Sequence, residues 1–206
     1  MKSMYLIGIA GGSGSGKTTL AEMLVKLGGS NKVSCIQTDW YYRAQDHLPL
    51  KERDKVNYDH PDAVEASLLC TDLCRLMEGQ SVECPQYDFT VHTRSGVTKT
   101  IKPSPVVIVE GILALYYEKL LPLYDLKVFV SAPDELRFKR RLARDVTERG
   151  RTPESVKKQW QETVLPMHQE FCEPSRTVAD FIIPDGFVNE PIAKEILDKA
   201  LAANTP

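Results

Sequence analysis

The feature that most constrains the fold is a glycine-rich octapeptide, Gly11 to Thr18, that directly follows a short apolar run. It matches the pattern GxxxxGK[ST], and a helical pattern over Thr18–Leu27 follows it, which is the setting of a phosphate loop. Backbone N–H groups in such a loop turn toward phosphate oxygens, Lys17 reaches the β- and γ-phosphates, and the Thr18 hydroxyl ligates Mg²⁺. The residues predicted to bind a nucleoside triphosphate are Gly11, Gly12, Ser13, Gly14, Ser15, Gly16, Lys17 and Thr18.

A phosphate loop alone does not identify the reaction, because switch GTPases, ATPases and small-molecule kinases share it. A GTPase also needs a DxxG element and an NKxD motif, and the segment Asn31-Lys32-Val33-Ser34 lacks the aspartate. The alternative that the octapeptide is a chance glycine-rich turn is disfavoured by the strand and helix patterns around it. We therefore favour a kinase, which needs an acceptor site and a mobile lid that carries arginines.

Short β-branched runs alternate with helical patterns, which is typical of a parallel sheet covered by helices on both faces. The predicted strands are Tyr5–Ala10, Val33–Gln37, Val106–Val109, Leu126–Val130 and Phe181–Ile183. The predicted helices are Thr18–Leu27, Ala63–Glu78 with Asp62 as N-cap, Glu135–Glu148, Glu154–Phe171 and Pro191–Ala203. The segment Ser81–Pro103 is predicted to be a β-hairpin that turns at Ser95–Gly96 and is added to the main sheet. The expected fold is α/β, of the P-loop NTPase type, in one domain over residues 1–206.

Bulk composition limits the possible classes of protein. The chain has 206 residues, 42% of them hydrophobic and 26% charged, which is enough to bury one core. A net charge of -2 argues against general binding of nucleic acid, and we find no pattern for a membrane span or a targeting segment. Five cysteines without CxxC spacing suggest neither a disulfide framework nor a zinc site. We expect a soluble, cytoplasmic protein.

Five further stretches are more specific than the phosphate loop. They are Thr38–Arg43 (TDWYYR), Asn57–Asp62 (NYDHPD), Pro85–Phe89 with His92–Arg94, Val109–Ile112 (VEGI) and Arg144–Arg151 (RDVTERGR). In this order they resemble the uridine kinase (uridine–cytidine kinase) family, and the resemblance covers about residues 5 to 184. It implies an enzyme that uses ATP (or GTP) and Mg²⁺ to phosphorylate the 5′-hydroxyl of uridine or cytidine, as a homotetramer. The alternatives are a related kinase for another small alcohol and a regulatory protein that binds nucleotides or RNA.

The resemblance assigns roles to two aspartates. Asp39 follows the second predicted strand and becomes the catalytic carboxylate that accepts the proton of the nucleoside hydroxyl. Asp59 becomes the acceptor for the two ribose hydroxyls, to which a carboxylate offers two acceptor atoms. The structural alternatives are that Asp39 caps a turn and that Asp59 belongs to a helix entry beside Asp62. Tyr42 either lines the acceptor pocket or packs against the core.

The predicted hairpin supplies the nucleoside base site. By resemblance, Tyr87, Phe89 and His92 surround the pyrimidine, since aromatic faces stack on a base and a histidine nitrogen either donates or accepts a hydrogen bond. Simple packing of Tyr87 and Phe89 on one strand face is compatible with that role. Glu110 ends an apolar run where P-loop proteins place a carboxylate near Mg²⁺. The alternative for Glu110 is a cap or first-turn acid of a helix over Ile112–Leu121.

The stretch from Arg137 to Arg151 contains seven basic and two acidic residues, and it is predicted to form part of a lid over about residues 137–160. The alternatives are a solvated helix face and a surface that binds RNA. By resemblance Arg144 and Arg149 neutralise the transferring phosphoryl group, and Gly150 provides a hinge. The further substrate contacts that the resemblance implies are Arg141, Arg151 and Gln159.

One segment departs from the family pattern. After Pro184 the family continues with Arg-Gly and then an acidic residue on the adenine side of the donor, whereas this chain has Asp185-Gly186-Phe187-Val188. The donor's base is therefore expected to be held differently in this chain. The choice between ATP and GTP is left open by this sequence.

Overall fold

The computed structural model describes residues 4–53 and 55–203, so the ends of the predicted domain lie outside the described residues. The strands are β1 Tyr5–Ala10, β2 Val33–Gln37, β3 Val82–Asp88, β4 Thr93–Ile101, β5 Val106–Glu110, β6 Leu126–Val130 and β7 Phe181–Ile183. The helices are α1 Lys17–Gly28, α2 Leu50–Arg53, α3 Ala66–Met77, α4 Asp134–Thr147, α5 Pro153–Gln159, α6 Leu165–Met167 and α7 Glu190–Ala202. The five predicted parallel strands are confirmed, with β5 one residue longer than expected.

Five strands form one parallel sheet in the order β2-β5-β1-β6-β7. Alternate residues of β1 enter different cores: Leu6 packs with α3 and the hairpin on one face, while Ile7 and Ile9 pack with α1 and α7 on the other. Both faces are thus covered, as the continuous apolar strands predict. Because the strands are parallel, the residues that follow β1, β2 and β5 meet at one edge of the sheet.

The hairpin of β3 and β4 forms a separate two-stranded antiparallel sheet instead of extending the parallel one. Its turn lies at residues 89–92, so the predicted turn at Ser95–Gly96 is wrong. The Asp88 carboxylate accepts a hydrogen bond from the Thr90 N–H at 2.8 Å and stabilises the observed turn. Gly96, with φ at +74°, lies inside β4 where the pairing with β3 shifts, so its unusual conformation serves a bulge.

Helix α3 begins later than the sequence predicts. Its start at Ala66 follows a short 3₁₀ turn over Pro61–Ala63, and the backbone of Val64 bridges to Tyr42. The predicted N-cap role of Asp62 is wrong, because the Asp62 N–H itself donates to His60 Nδ1 in that turn. The bridge to Tyr42 connects the segment before α3 to the turn that follows β2.

The predicted helix Glu154–Phe171 is a longer and irregular rod. Thr152 caps α5, and wide π-type turns over Trp160–Val164 and His168–Cys172 flank the short α6. Pro166, inside α6, has no N–H to donate to the helical ladder. Residues 112–120 form turns, so the alternative of a helix over Ile112–Leu121 is wrong. Within residues 4–53 and 55–203, no helix is both long and apolar enough to cross a membrane.

Candidate active site

The phosphate loop joins β1 to α1 at the carboxyl edge of the sheet. Gly14 has φ at +79°, and a Cβ there would clash with the Arg137 carbonyl oxygen, so both backbone conformation and space require glycine. Lys17 is buried and lines the cleft in front of the loop. The buried Ser15 hydroxyl has no hydrogen-bond partner among the described residues, which fits a loop built to receive an anion.

A pair of oxygen donors lies beside the loop where a metal is predicted. The Thr18 hydroxyl, in the first turn of α1, donates a hydrogen bond at 3.3 Å to Glu110 Oε1 at the end of β5. Burial raises the pKa of Glu110 to about 6, while Lys17 acts in the opposite direction. Because residues 112–120 form turns and not a helix, the alternative role of Glu110 as a helix cap is wrong. A hydroxyl and a carboxylate at this spacing suit Mg²⁺, which prefers hard oxygen ligands and completes its shell with phosphate oxygens.

Asp39 lies in a 3₁₀ turn over Thr38–Tyr41 directly after β2. Two contacts fix that turn: the Tyr41 hydroxyl donates to buried Asp72 at 2.8 Å, and Arg94 Nε donates to the Tyr42 carbonyl at 3.0 Å. The Asp39 carboxylate lines both the cavity in front of the phosphate loop and the cavity beside it. The position of Asp39 between the phosphate loop and the hairpin suits a carboxylate that accepts a proton during phosphoryl transfer.

Asp59 lies across the same cavity. The Asp59 N–H donates a hydrogen bond to the Asn57 side-chain oxygen at 3.1 Å. Burial raises the pKa of the Asp59 carboxyl, and the nearby Arg141 opposes that rise. The position of Asp59 in the cavity wall favours a role in binding the ribose over a role at the start of a helix.

Aromatic rings form the wall on the hairpin side. The ring centroid of Tyr87 lies 5.2 Å from that of Tyr42 and 5.2 Å from that of Phe89, in edge-to-face contacts. His92 stacks on Tyr58 with centroids 5.6 Å apart. Tyr42 is buried, so its packing and its position in the cavity wall hold together. These rings form an aromatic wall of the cavity that includes His92.

Arginines close the cavity from the side of α4. Arg141 donates to the Ser13 hydroxyl at 2.9 Å and to Gln159 Oε1 at 2.8 Å, which connects the phosphate loop to α5. Arg151 donates to the same Gln159 oxygen at 2.6 Å. The guanidinium carbon of Arg149 lies 4.5 Å from the ring centroid of Phe89, so the arginine segment touches the hairpin.

One cavity therefore collects every predicted substrate residue. It measures about 70 Å³, and a second one of about 510 Å³ continues along the phosphate loop toward Arg140. The predicted residues that line the first cavity are Ser13, Lys17, Asp39, Tyr42, Asp59, Tyr87, Phe89, His92, Arg141, Arg144, Arg149, Arg151 and Gln159. A phosphate-binding loop, a carboxylate and an arginine set around one cavity form a site for phosphoryl transfer to a small acceptor.

Comparison of the sequence with known protein families identifies the family of this chain. Residues 6–190 match the model of the "Phosphoribulokinase / Uridine kinase family". The chain belongs to this family.

Among curated relatives in the family, a "Uridine kinase" of Deinococcus deserti is 50% identical over 187 residues, which cover 91% of this chain and 90% of that protein. Another "Uridine kinase", of Macrococcus caseolyticus, is 48% identical over 189 residues and 92% of each chain. The phosphoribulokinase of Rhodobacter spheroides has the same fold, with a TM-score of 0.62 at 17% identity, over 89% of this chain and 71% of that one.

Sequence reasoning missed several residues of the site. Tyr58 and Ile112 line the acceptor cavity, although neither was singled out within its motif. Asp145 is fully buried among the arginines. Arg137 is fully buried beneath the phosphate loop, where its Nη1 would clash with a Cβ on Gly12. An acidic residue within a basic run was the available signal for Asp145, whereas nothing in the sequence distinguishes Arg137 from its basic neighbours.

In the segment that departs from the family pattern, Gly186 and Val188 lie beside Gly16 at the end of the phosphate loop. Asp185 has φ at +53°, and Val188 Cγ2 would lie 3.3 Å from a Cβ on Gly16. Arg140 Nη1 donates to the Ser15 carbonyl at 3.1 Å. Arg140 and Val188 therefore lie together beside this end of the loop.

Proposed function

We propose that this chain transfers the γ-phosphoryl group of ATP or GTP to the 5′-hydroxyl of uridine and cytidine, forming UMP and CMP. The observation that carries the proposal is the cavity that joins Lys17 and Asp39 to the Asp59 and hairpin residues. The curated relatives named "Uridine kinase" support the choice of acceptor, because they match almost the whole chain.

On the acceptor side, the ribose and the base have separate partners. Asp59 accepts hydrogen bonds from the 2′- and 3′-hydroxyls, which places the 5′-hydroxyl toward Asp39. Asp39 accepts the proton of that hydroxyl as the oxygen attacks phosphorus. Tyr87 and Phe89 enclose the pyrimidine, and His92 pairs with its 4-position as donor or acceptor, which suits both uridine and cytidine.

On the donor side, the loop N–H groups and Lys17 bind the β- and γ-phosphates, and Arg144 and Arg149 neutralise charge that develops on the phosphoryl group. Thr18 and Glu110 would hold Mg²⁺, which when bound neutralises phosphate charge and orients the donor. Arg141, Arg151 and Gln159 connect the loop to α5. The segment over about residues 137–160 acts as a lid that excludes water from the reacting groups.

Four finer features of the proposal are separate predictions. Asp185–Val188 lack the Arg-Gly-acid order of the family pattern, so we expect ATP and GTP both to serve as donors. The homotetramer implied by the resemblance and the cytoplasmic location are also expected, as is one catalytic domain over residues 1–206.

The test is release of ADP or GDP from Mg·ATP or Mg·GTP against a panel of acceptors. We expect uridine and cytidine to stimulate release, with purine nucleosides, pantothenate and ribulose 5-phosphate without effect. Release stimulated by another alcohol would reassign the acceptor within the family. Release stimulated by RNA, with no nucleoside phosphorylated, would contradict the kinase proposal.

A further inference from the structure

Asp145 is a buried anion in an unfavourable position. It lies in the last turn of α4, where the helix dipole opposes a negative charge, and its side chain is 0% exposed. Burial of a carboxylate costs free energy unless cations and hydrogen bonds compensate it. A residue in this position therefore needs partners that offset both effects.

Its partners are three of the arginines that line the cleft. Arg144 donates to Asp145 Oδ1 through Nε at 2.9 Å and through Nη2 at 2.8 Å. Arg149 Nη1 lies 3.7 Å from the same oxygen, and Arg141 Nε lies 3.3 Å from Oδ2. One carboxylate thus contacts guanidinium groups from both α4 and the turn that follows it.

The main chain of Asp145 also shapes that turn. The Arg151 N–H donates to the Asp145 carbonyl at 3.1 Å, across Gly150 with its φ of +64°. Side chain and backbone of one residue therefore set where the arginines of the following turn lie.

Without the carboxylate, the three guanidinium groups would repel one another. Burial and the neighbouring Arg144 lower the pKa of Arg149, and Asp145 acts against that effect. Arg141 has additional anchors on Ser13 and Gln159, whereas both hydrogen bonds that the Arg144 side chain donates within the described residues go to Asp145. Arg144 and Arg149 therefore depend most on Asp145 for their positions.

We propose that Asp145 is a positioning residue that holds Arg141, Arg144 and Arg149 in one array at the phosphate loop, ready for the transferring phosphoryl group. The proposal rests on the proposed phosphotransferase function. Pre-placed cations stabilise charge in the transition state without reorganisation, so loss of Asp145 lowers the rate of transfer more than the binding of substrates.

The test compares Asp145→Asn, which removes the charge and keeps the shape, with Glu135→Gln, an exposed charge removal on the same helix. For Asp145→Asn we expect kcat with uridine and Mg·ATP to fall at least about tenfold, and KM for uridine to change less than about threefold. The affinity for ADP with aluminium fluoride, a mimic of the transferring group, falls with kcat, while that for ADP alone changes little. Glu135→Gln retains wild-type values. A folded Asp145→Asn protein with kcat within twofold of the wild type overturns the proposal.

A measurement that needs no turnover accompanies the kinetics. In ¹⁵N spectra of the wild-type protein, we expect a slowly exchanging Nε–H signal of Arg144, assigned by its loss in Arg144→Lys, and its disappearance in Asp145→Asn. Its absence from the wild type also overturns the proposal, even if Asp145→Asn does not fold. Failure of the wild type to phosphorylate any nucleoside contradicts the proposed function, and the spectra still decide whether Asp145 holds Arg144.

Discussion

The donor and acceptor halves of the cleft are built in different ways. The phosphate loop is one contiguous segment that is predicted to bind phosphate through its backbone N–H groups, and Gly11, Gly14 and Gly16 have positive φ. The acceptor pocket joins side chains from the turn after β2, the segment before α3, the hairpin and α4–α5. A locally encoded site tolerates changes elsewhere in the chain, whereas an assembled site depends on every element that contributes to it.

The largest expected effect tests whether the acceptor half binds uridine independently of the donor half. Lys17→Met removes the cation of the loop, and we expect kcat to fall about a thousandfold, because that charge stabilises the transferring phosphoryl group. Uridine affinity, measured by calorimetry, stays within about threefold of the wild type. Lys26→Met, an exposed lysine farther along α1, serves as control. A comparable loss of uridine binding in Lys17→Met would show that the halves are not separable.

The next effect concerns the residue between the two halves. Asp39→Asn keeps the shape and removes the base, so we expect kcat to fall about a hundredfold or more with little change in either KM. Asp62→Asn, whose side chain is 94% exposed, is the matched control and retains activity. Steady-state kinetics with uridine and ATP measure both variants. A near-wild-type kcat for Asp39→Asn would remove Asp39 from proton transfer.

A smaller effect is confined to the acceptor half. Asp59→Ala removes the proposed ribose contact, and we expect KM for uridine to rise about tenfold or more, the usual scale for a hydrogen bond to a charged group. KM for ATP changes less than about twofold. The comparison with Asp62→Ala controls for charge removal three residues away. An unchanged KM for uridine would exclude the contact.

The last effect concerns folding stability and not activity, and it lies in the support behind the donor half. His168 lies beneath Gly12, and burial together with Arg137 lowers its pKa to about 4. The unfolded chain binds this proton more tightly, since an ordinary histidine titrates near 6.5, so the stability that His168 contributes above that pH is lost as the pH falls toward 4. Between pH 7 and pH 5 we expect the wild type to lose about 2 kcal/mol more than His168→Gln, measured by urea unfolding. Equal losses would contradict a buried neutral His168.

The contrast between a contiguous loop and an assembled pocket explains which features could be predicted from the sequence. The loop, the strands and the strand-end positions of Asp39 and Glu110 follow from contiguous patterns, and they were predictable. The hairpin turn was misplaced because Gly96 serves a bulge, which only the pairing with β3 reveals. Asp145 and Tyr58 were missed because their roles depend on neighbours that burial and packing bring together.

The most direct test of the central claim is the ratio of nucleotide products. Wild-type protein is incubated with Mg·ATP and uridine, and UMP and ADP are quantified by chromatography, with ³¹P spectra locating the phosphate on the ribose. If the cleft joins the two halves as described, UMP with phosphate on its 5′-oxygen forms in a ratio of about one to the ADP released, as direct phosphoryl transfer requires. Release of ADP without UMP, or a phosphate on another oxygen, would contradict it.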